Sequence, residues 1–302
     1  MGIFHQLAVA TLPLIPRPVM RKLAGRYIAG ETLEEALGRL QQLHAEGFSG
    51  VLDLLGEDVQ GESEARTVLA EYKLGATKIA ELGLDAYVSV KPTHFCMQKD
   101  GDLAFELYDD LISHCAKLGQ RMRVEMEDHP TTDDTLALFT RLRAKHNNVG
   151  LVMQSRLFRN PADIEALPTP EPGGHIDIRM VKGIYLEPAE IAHTRPDPIR
   201  KAFIEQCISL WSSGHFVAIA THDDGMAQTL LAHIARENIP RELYEFEVLL
   251  GVRESLWRGW SKKDLTVRVY VPYGPEWRAY SQRRLRKNPE MLRNVALAMF
   301  RK

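Results

Sequence analysis

Eight short runs of apolar, β-branched and aromatic residues alternate along the chain with longer amphipathic stretches. The runs are GVLDLL (Gly50 to Leu55), YVSVKP (Tyr87 to Pro92), RMRVEM (Arg121 to Met126), VGLVMQ (Val149 to Gln154), HIDIRMV (His175 to Val181), FVAIAT (Phe216 to Thr221), YEFEVLL (Tyr244 to Leu250) and VRVYVP (Val267 to Pro272). Each has the length and composition of a strand. The stretches between them, such as ELYDDLISHCAKLG and TLALFTRLRAKHN, carry apolar residues at three- and four-residue spacing and read as helices with one buried face. Strand alternating with helix implies a parallel sheet with right-handed crossovers, and eight such units in about 250 residues is the usual size of a closed (β/α)8 barrel. An open doubly wound sheet is the alternative, but no GxGxxG follows the first run and the eight-fold count fits closure better. The expected fold class is therefore α/β, a TIM-type (β/α)8 barrel with extra N-terminal helices. It forms a single domain, 1–302, with 1–46 as a helical lead-in and 47–302 as the barrel.

Nearly every run carries a charged or hydrogen-bonding residue toward its downstream end. These are Glu57 after the first run, Lys91, Glu125, Gln154, Arg179 with Lys182 and Tyr185, Thr221 with His222 and Asp223, Glu247, and Tyr270. Desolvating a charge is costly, so each such side chain needs a partner or a ligand. Any one of them alone reads equally well as a structural ion pair. Their repetition at the strand C-termini, where barrel enzymes hold their active sites, points to catalysis.

With 45% hydrophobic residues the chain can bury a full core, and a net charge of −2 gives no global reason to invoke nucleic acid. From Arg253 onward thirteen Lys and Arg stand against four Asp and Glu, yet no nucleic-acid signature accompanies them. Cys96, Cys115 and Cys207 lack CxxC spacing and fit reduced thiols in the cytoplasm. His94 and His222 are isolated, without metal-ligand spacing, so no metal is expected. The apolar start, MGIFHQLAVATLPLIPRPVMRKL, lacks a signal-peptide cleavage site and reads as a helical lead-in, with peripheral contact at the inner face of the membrane as the minority reading. Thr32 and Glu35 form a capping box before the first helix, and Asn160 with Pro161 reads as an N-cap and first-turn pair.

Three constellations carry chemistry. Tyr280, Arg283, Arg284 and Lys287 share one face of a helix opened by Pro275, and two adjacent guanidiniums suit a carboxylate; a solvated basic helix is the alternative. RMVKGIYLEP (Arg179 to Pro188) joins cations to a glycine that permits close approach to a phosphate. ATHDD (Ala220 to Asp224) puts a hydroxyl, an imidazole and a carboxylate at one strand end. Together they suggest an anionic substrate and a phosphate-bearing cofactor.

The combination of LDLLGE, SVKPT, RVEMED, RMVKGIYLEP, ATHD and VRVYVPYG followed by the arginine pair resembles the bacterial monofunctional proline dehydrogenases, across about residues 25 to 300. The resemblance implies a distorted (β/α)8 barrel that holds FAD and oxidises L-proline to Δ1-pyrroline-5-carboxylate in proline catabolism, passing electrons to a quinone. It implies that Arg283 and Arg284 grip the substrate carboxylate, that Lys91 lies near substrate and flavin, and that Tyr270 and Leu249 pack around the ring. Glu57 and Arg283 would form a gate. Met126, Gln154, Arg179, Lys182, Gly183, Ile184, Thr221 and His222 would hold the flavin, with Tyr185 beside it. Lys91, Glu125 and Tyr185 are the expected catalytic residues, Glu125 or solvent taking the amine proton. Four positions depart from the family pattern: Glu125 for aspartate, Glu247 for glutamine, Arg156 for tyrosine and Lys287 for glutamate. The alternatives are the same chemistry on another cyclic secondary amino acid, a flavin-binding barrel without proline activity, or a phosphate-binding aldolase or isomerase with Lys91 as a Schiff-base lysine.

Overall fold

The protein's structure, a computed structural model, describes residues 20–21, 25–170, 174–278 and 280–281. Eight parallel strands close in sequence order into a barrel. They are β1 (Ser49–Leu54), β2 (Ala86–Val90), β3 (Met122–Val124), β4 (Val149–Gln154), β5 (Asp177–Val181), β6 (Phe216–Ala220), β7 (Tyr244–Leu249) and β8 (Val267–Tyr273). Helices α1 (Leu33–Ala45), α2 (Glu62–Glu81), α3 (Gly101–Lys117), α4 (Thr132–Arg143), α5 (Asn160–Glu165), α6 (Pro196–Ser212), α7 (Asp224–Glu237) and α8 (Glu254–Ser261) surround it. The expected strands are all present; β2, β3 and β6 end a residue or two early, where the polar Lys91, Glu125 and Thr221 leave the ladder. Among the described residues no helix is long and apolar enough to cross a membrane.

Helix α1 precedes the first strand and starts at the expected capping box, with Thr32 and Glu35 capping each other. It lies tightly on the barrel: a Cβ at Gly50 would come within 2.3 Å of Leu40. The incoming segment is stitched to the end of β8 by Ala29 N–H donating to Pro272 O at 2.8 Å and Gly274 N–H donating to Gly30 O at 3.1 Å. Asn160, expected as a cap, is instead the first residue of α5, behind Arg159. Its buried amide donates to Gln206 Oε1 at 2.7 Å, which ties α5 to α6 and leaves it no role as a cap.

The two faces of the sheet are chemically opposite. Outward residues such as Leu52, Val88, Val124, Ile178, Ile219 and Val269 are buried with the apolar faces of the helices in one hydrophobic core. The inward face is ionic. Tyr87 on β2 donates to Glu247 on β7 at 2.8 Å, Arg123 on β3 pairs with Glu247 and with Asp177 on β5, and Arg179 on β5 pairs with Glu247 and Glu125. Non-adjacent strands meet this way only across a barrel interior. Below this level Arg121 pairs with Asp177 at 2.9 Å and Glu245 at 2.6 Å, and Arg268 pairs with Glu245 at 2.9 Å and with Asp85 at the rim at 3.1 Å. Barrels more often fill this space with layers of aliphatic side chains. Here Arg121, Arg123 and Arg268 stack on the Tyr87 ring at 4.7 to 5.1 Å, so the cations are both paired and packed.

Candidate active site

At the C-terminal mouth the ionic interior ends in a cluster built from β1, β2, β3 and β8. Asp53, 1% exposed on β1, accepts from Lys91 Nζ at 3.2 and 3.3 Å. Burial pushes the Asp53 carboxyl up to about 6 against the pull of Lys91. Burial alone would discharge Lys91, but Asp53, Glu125 and Glu127 outweigh it and raise its pKa, so the ammonium stays charged. Tyr270 on β8 also faces Asp53, and its ring carries the Arg179 guanidinium at 5.2 Å.

Glu125 lies just past β3 and accepts from Ser89 Oγ and Arg179. Burial opposes its ionisation, yet Arg179, Ser89 and Lys91 prevail and hold its pKa below the usual carboxylate value. Glu247 is held low as well, burial being overcome by Arg123 and Arg179. The extra charge that Glu247 brings to this chain, like that of Glu125, is thus neutralised by arginines inside the barrel. Neither carboxylate has the raised pKa that suits a base working near neutrality.

Glu127 behaves differently. It is 4% exposed and accepts from the Thr93 N–H at 2.9 Å and the Thr93 hydroxyl at 2.8 Å, and burial raises its pKa to about 7. A carboxyl with a raised folded pKa favours the fold most below its unfolded pKa, and that contribution is lost as pH rises through about 7. Glu127→Gln mimics the neutral acid, accepting from the Thr93 N–H and donating to its hydroxyl. The variant is expected to flatten the fall in stability between pH 5 and 8 by roughly 2–3 kcal/mol, read by urea titration across that range. An unchanged pH slope would mean that Glu127 ionises freely in the fold.

A second region lies at the ends of β4 to β7. Gln154 is 1% exposed; its amide N–H donates to Glu127 O at 2.7 Å, and its Oε1 has no hydrogen-bond partner among the described residues. A buried acceptor without a partner marks a place for a ligand donor. Gly183, at φ +94°, lies against it: a Cβ there would meet Gln154 Oε1 and Arg156 Cδ at 2.8 Å. Arg156 donates to the Tyr185 carbonyl and so holds the β5–α6 loop beside that acceptor. In this loop Ile184 is half-exposed and Tyr185 partly exposed.

Beyond Gly183 opens a cleft of about 380 Å³ lined by Lys182, Arg200, Thr221, His222, Asp223 and Arg253. Asp223 caps α7 through the Met226 N–H and pairs with Lys182 at 3.1 Å and Arg200 at 2.8 Å. His222 Nε2 accepts the Leu249 N–H at 3.0 Å, and its carbonyl accepts from Arg253 at 2.6 Å, which joins the ends of β6 and β7. Three cations in an open cleft beside a glycine turn suit a diphosphate.

The expected residues Lys91, Glu125, Met126, Gln154, Arg179, Lys182, Gly183, Thr221, His222, Leu249 and Tyr270 all stand at this end of the barrel. Glu57 is partly exposed in the loop after β1. Arg283, Arg284 and Lys287 lie outside the described residues, and with them the expected gate and carboxylate grip. Asp53, Glu127, Arg200 and Arg253 were not among the expected site residues. His94, set aside as a metal ligand, is a buried imidazole against Gly56 whose pKa falls to about 3 through burial and the nearby Lys91.

The sequence profile of the proline dehydrogenase family matches residues 36–296. Over 302 aligned residues the chain is 32% identical to the proline dehydrogenase of Deinococcus radiodurans, covering 97% of this chain and 95% of that protein. It is 31% identical to proline dehydrogenase 2 of Bacillus subtilis over 278 residues, covering 92% of this chain and 89% of that protein. Among solved structures, proline utilization A from Bdellovibrio bacteriovorus, inactivated by N-propargylglycine, matches with a TM-score of 0.84 at 21% identity. That match covers 97% of this chain and 37% of the longer one, and it shows the shared barrel fold.

Proposed function

The chain belongs to the proline dehydrogenase family, and from that membership we propose that it oxidises L-proline to Δ1-pyrroline-5-carboxylate with a bound FAD, electrons passing on to a quinone. The observation that carries the cofactor is the orphaned Gln154 Oε1 beside the glycine turn and the cationic cleft. Gln154, Met126, Arg179 and Gly183 would hold the isoalloxazine, and Lys182, Thr221 and His222 the diphosphate side, with Arg200 and Arg253 added from the cleft. The flavin, when bound, supplies the acceptor for the hydride that leaves the carbon next to the amine.

The protein's part is binding and placement. Lys91, held charged at the mouth, meets the substrate carboxylate together with Arg283 and Arg284, and the Glu57–Arg283 gate would close over it. Tyr270 and Leu249 pack around the ring, and Arg179 buttresses Tyr270. Glu125, held ionised by Arg179, keeps that guanidinium in place, and Tyr185 stands beside the cofactor. The reading sets the protein in the cytoplasm, meeting its quinone at the membrane surface.

The test is an anaerobic visible spectrum of the purified protein before and after L-proline is added. A flavin band that bleaches is the expected result. A band that persists with proline would move the substrate to another amine, and a protein that takes up no FAD would overturn the assignment.

A further inference from the structure

The mouth of the barrel places Asp53 beneath Lys91 in a way that the roles assigned above do not use. The carboxylate is almost fully buried, the Lys91 side chain is 15% exposed above it, and Nζ stands nearly equidistant from both oxygens at 3.2 and 3.3 Å. An ammonium has three N–H groups. Asp53 can take at most two, which leaves at least one for a group arriving from the mouth.

The surroundings fix this arrangement from every side. Glu125 faces the pair from β3, Tyr270 from β8, Tyr72 from α2 behind the strand, and Glu127 faces Lys91. Arg179, the neighbouring guanidinium, is engaged by Glu125 and Glu247 and so does not compete for Asp53. A lysine stem has four rotatable carbons, and a buried ammonium without an adjacent anion tends to lose its proton. Asp53 counters both tendencies.

We propose that Asp53 is a positioning residue of the active site, which holds the Lys91 ammonium extended and charged at the mouth so that it receives the carboxylate of the substrate. The inference rests on the reading that Lys91 meets that carboxylate. Asp53 itself never touches the substrate; its effect passes through Lys91.

The test uses the flavin-loaded protein and the variants Asp53→Asn, Asp53→Glu, Lys91→Met and the Asp53→Asn/Lys91→Met double variant, with flavin content and melting temperature measured for each. The probe is cyclopentanecarboxylate, which has the ring and carboxylate but no amine to oxidise, titrated by the flavin difference spectrum; KM and kcat for L-proline are measured beside it. Asp53→Asn is expected to weaken the probe and raise KM by about 10- to 100-fold, with a smaller change in kcat. Asp53→Glu should recover part of the loss, and the double variant should be no worse than Lys91→Met. The proposal is overturned if Asp53→Asn binds the probe like the parent, or if the two losses multiply, since either result makes Asp53 independent of Lys91. If Asp53→Asn does not fold, Asp53→Ser takes its place, and wild-type affinity for the probe in that variant, which has no carboxylate, sinks the idea. A parent protein that binds the probe but is not reduced by proline would fault the proposed substrate and leave this inference to be read from the probe alone.

Discussion

Arg123→Met is expected to cost about 3–5 kcal/mol of stability, the usual cost of removing one member of a buried ionic group. Arg123 is fully buried, donates to both Asp177 and Glu247, and stacks on Tyr87 at 5.1 Å. The interior holds Lys91, Arg121, Arg123, Arg179 and Arg268 against Asp53, Glu125, Asp177, Glu245 and Glu247, five charges of each sign. Methionine fills the volume but leaves four cations against five anions in a largely buried space, with Asp177 and Glu247 losing a fully buried partner. Glu247→Gln leaves the opposite imbalance. The double variant restores equality, so its loss should be smaller than the sum of the two single losses. Urea unfolding of the three variants measures this. A cost for Arg123→Met below about 1 kcal/mol would mean that the interior relaxes or admits water around Asp177 and Glu247.

Gly183→Val is expected to empty the cofactor site while leaving the barrel folded. The residue sits at φ +94°, where a β-branched side chain is strained by about 1–3 kcal/mol, and its Cβ would press on Gln154 Oε1 and Arg156 Cδ at 2.8 Å. Either the loop moves or Gln154 turns away, and both disrupt the acceptor proposed for the flavin. The loop between β5 and α6 is partly exposed and lies apart from the apolar core, so the melting temperature of the apoprotein should fall by only a few degrees. The ratio of visible to ultraviolet absorbance of the purified protein reads the outcome, with flavin occupancy expected to fall about tenfold or more. Full occupancy in the valine variant would remove this loop from the flavin site.

Much of the site was legible because strand order and strand ends are local properties. Gln154, Arg179, Thr221 and Tyr270 sit where the runs predict them, and Gly183 follows its strand as the Lys-Gly pair suggests. Asp53 escaped notice because a single acid between leucines reads as an interruption of an apolar strand. Glu127 was passed over for Glu125, two residues earlier, because nothing local says that β3 ends at Val124 and that Thr93, in the turn just past the neighbouring β2, will enclose it. Arg200 and Arg253 lie in a helix and a loop far apart in sequence, and only the closed barrel brings both to the cleft.

The sequence by itself determined the alternation of strand and helix, the count of eight, and the period of two that gives several strands one apolar and one polar face. RMRVEM, YEFEV and VRVYVP all show that period plainly. Only the tertiary structure decided where the polar face points and what each charge meets there. Helices cover the outside of a closed parallel barrel and take the apolar face, so the arginines and carboxylates turn inward. Their partners are then set by distance across the interior. Arg123 and Glu247 stand 124 residues apart in the chain, and no local pattern encodes a meeting that follows from closure of the sheet.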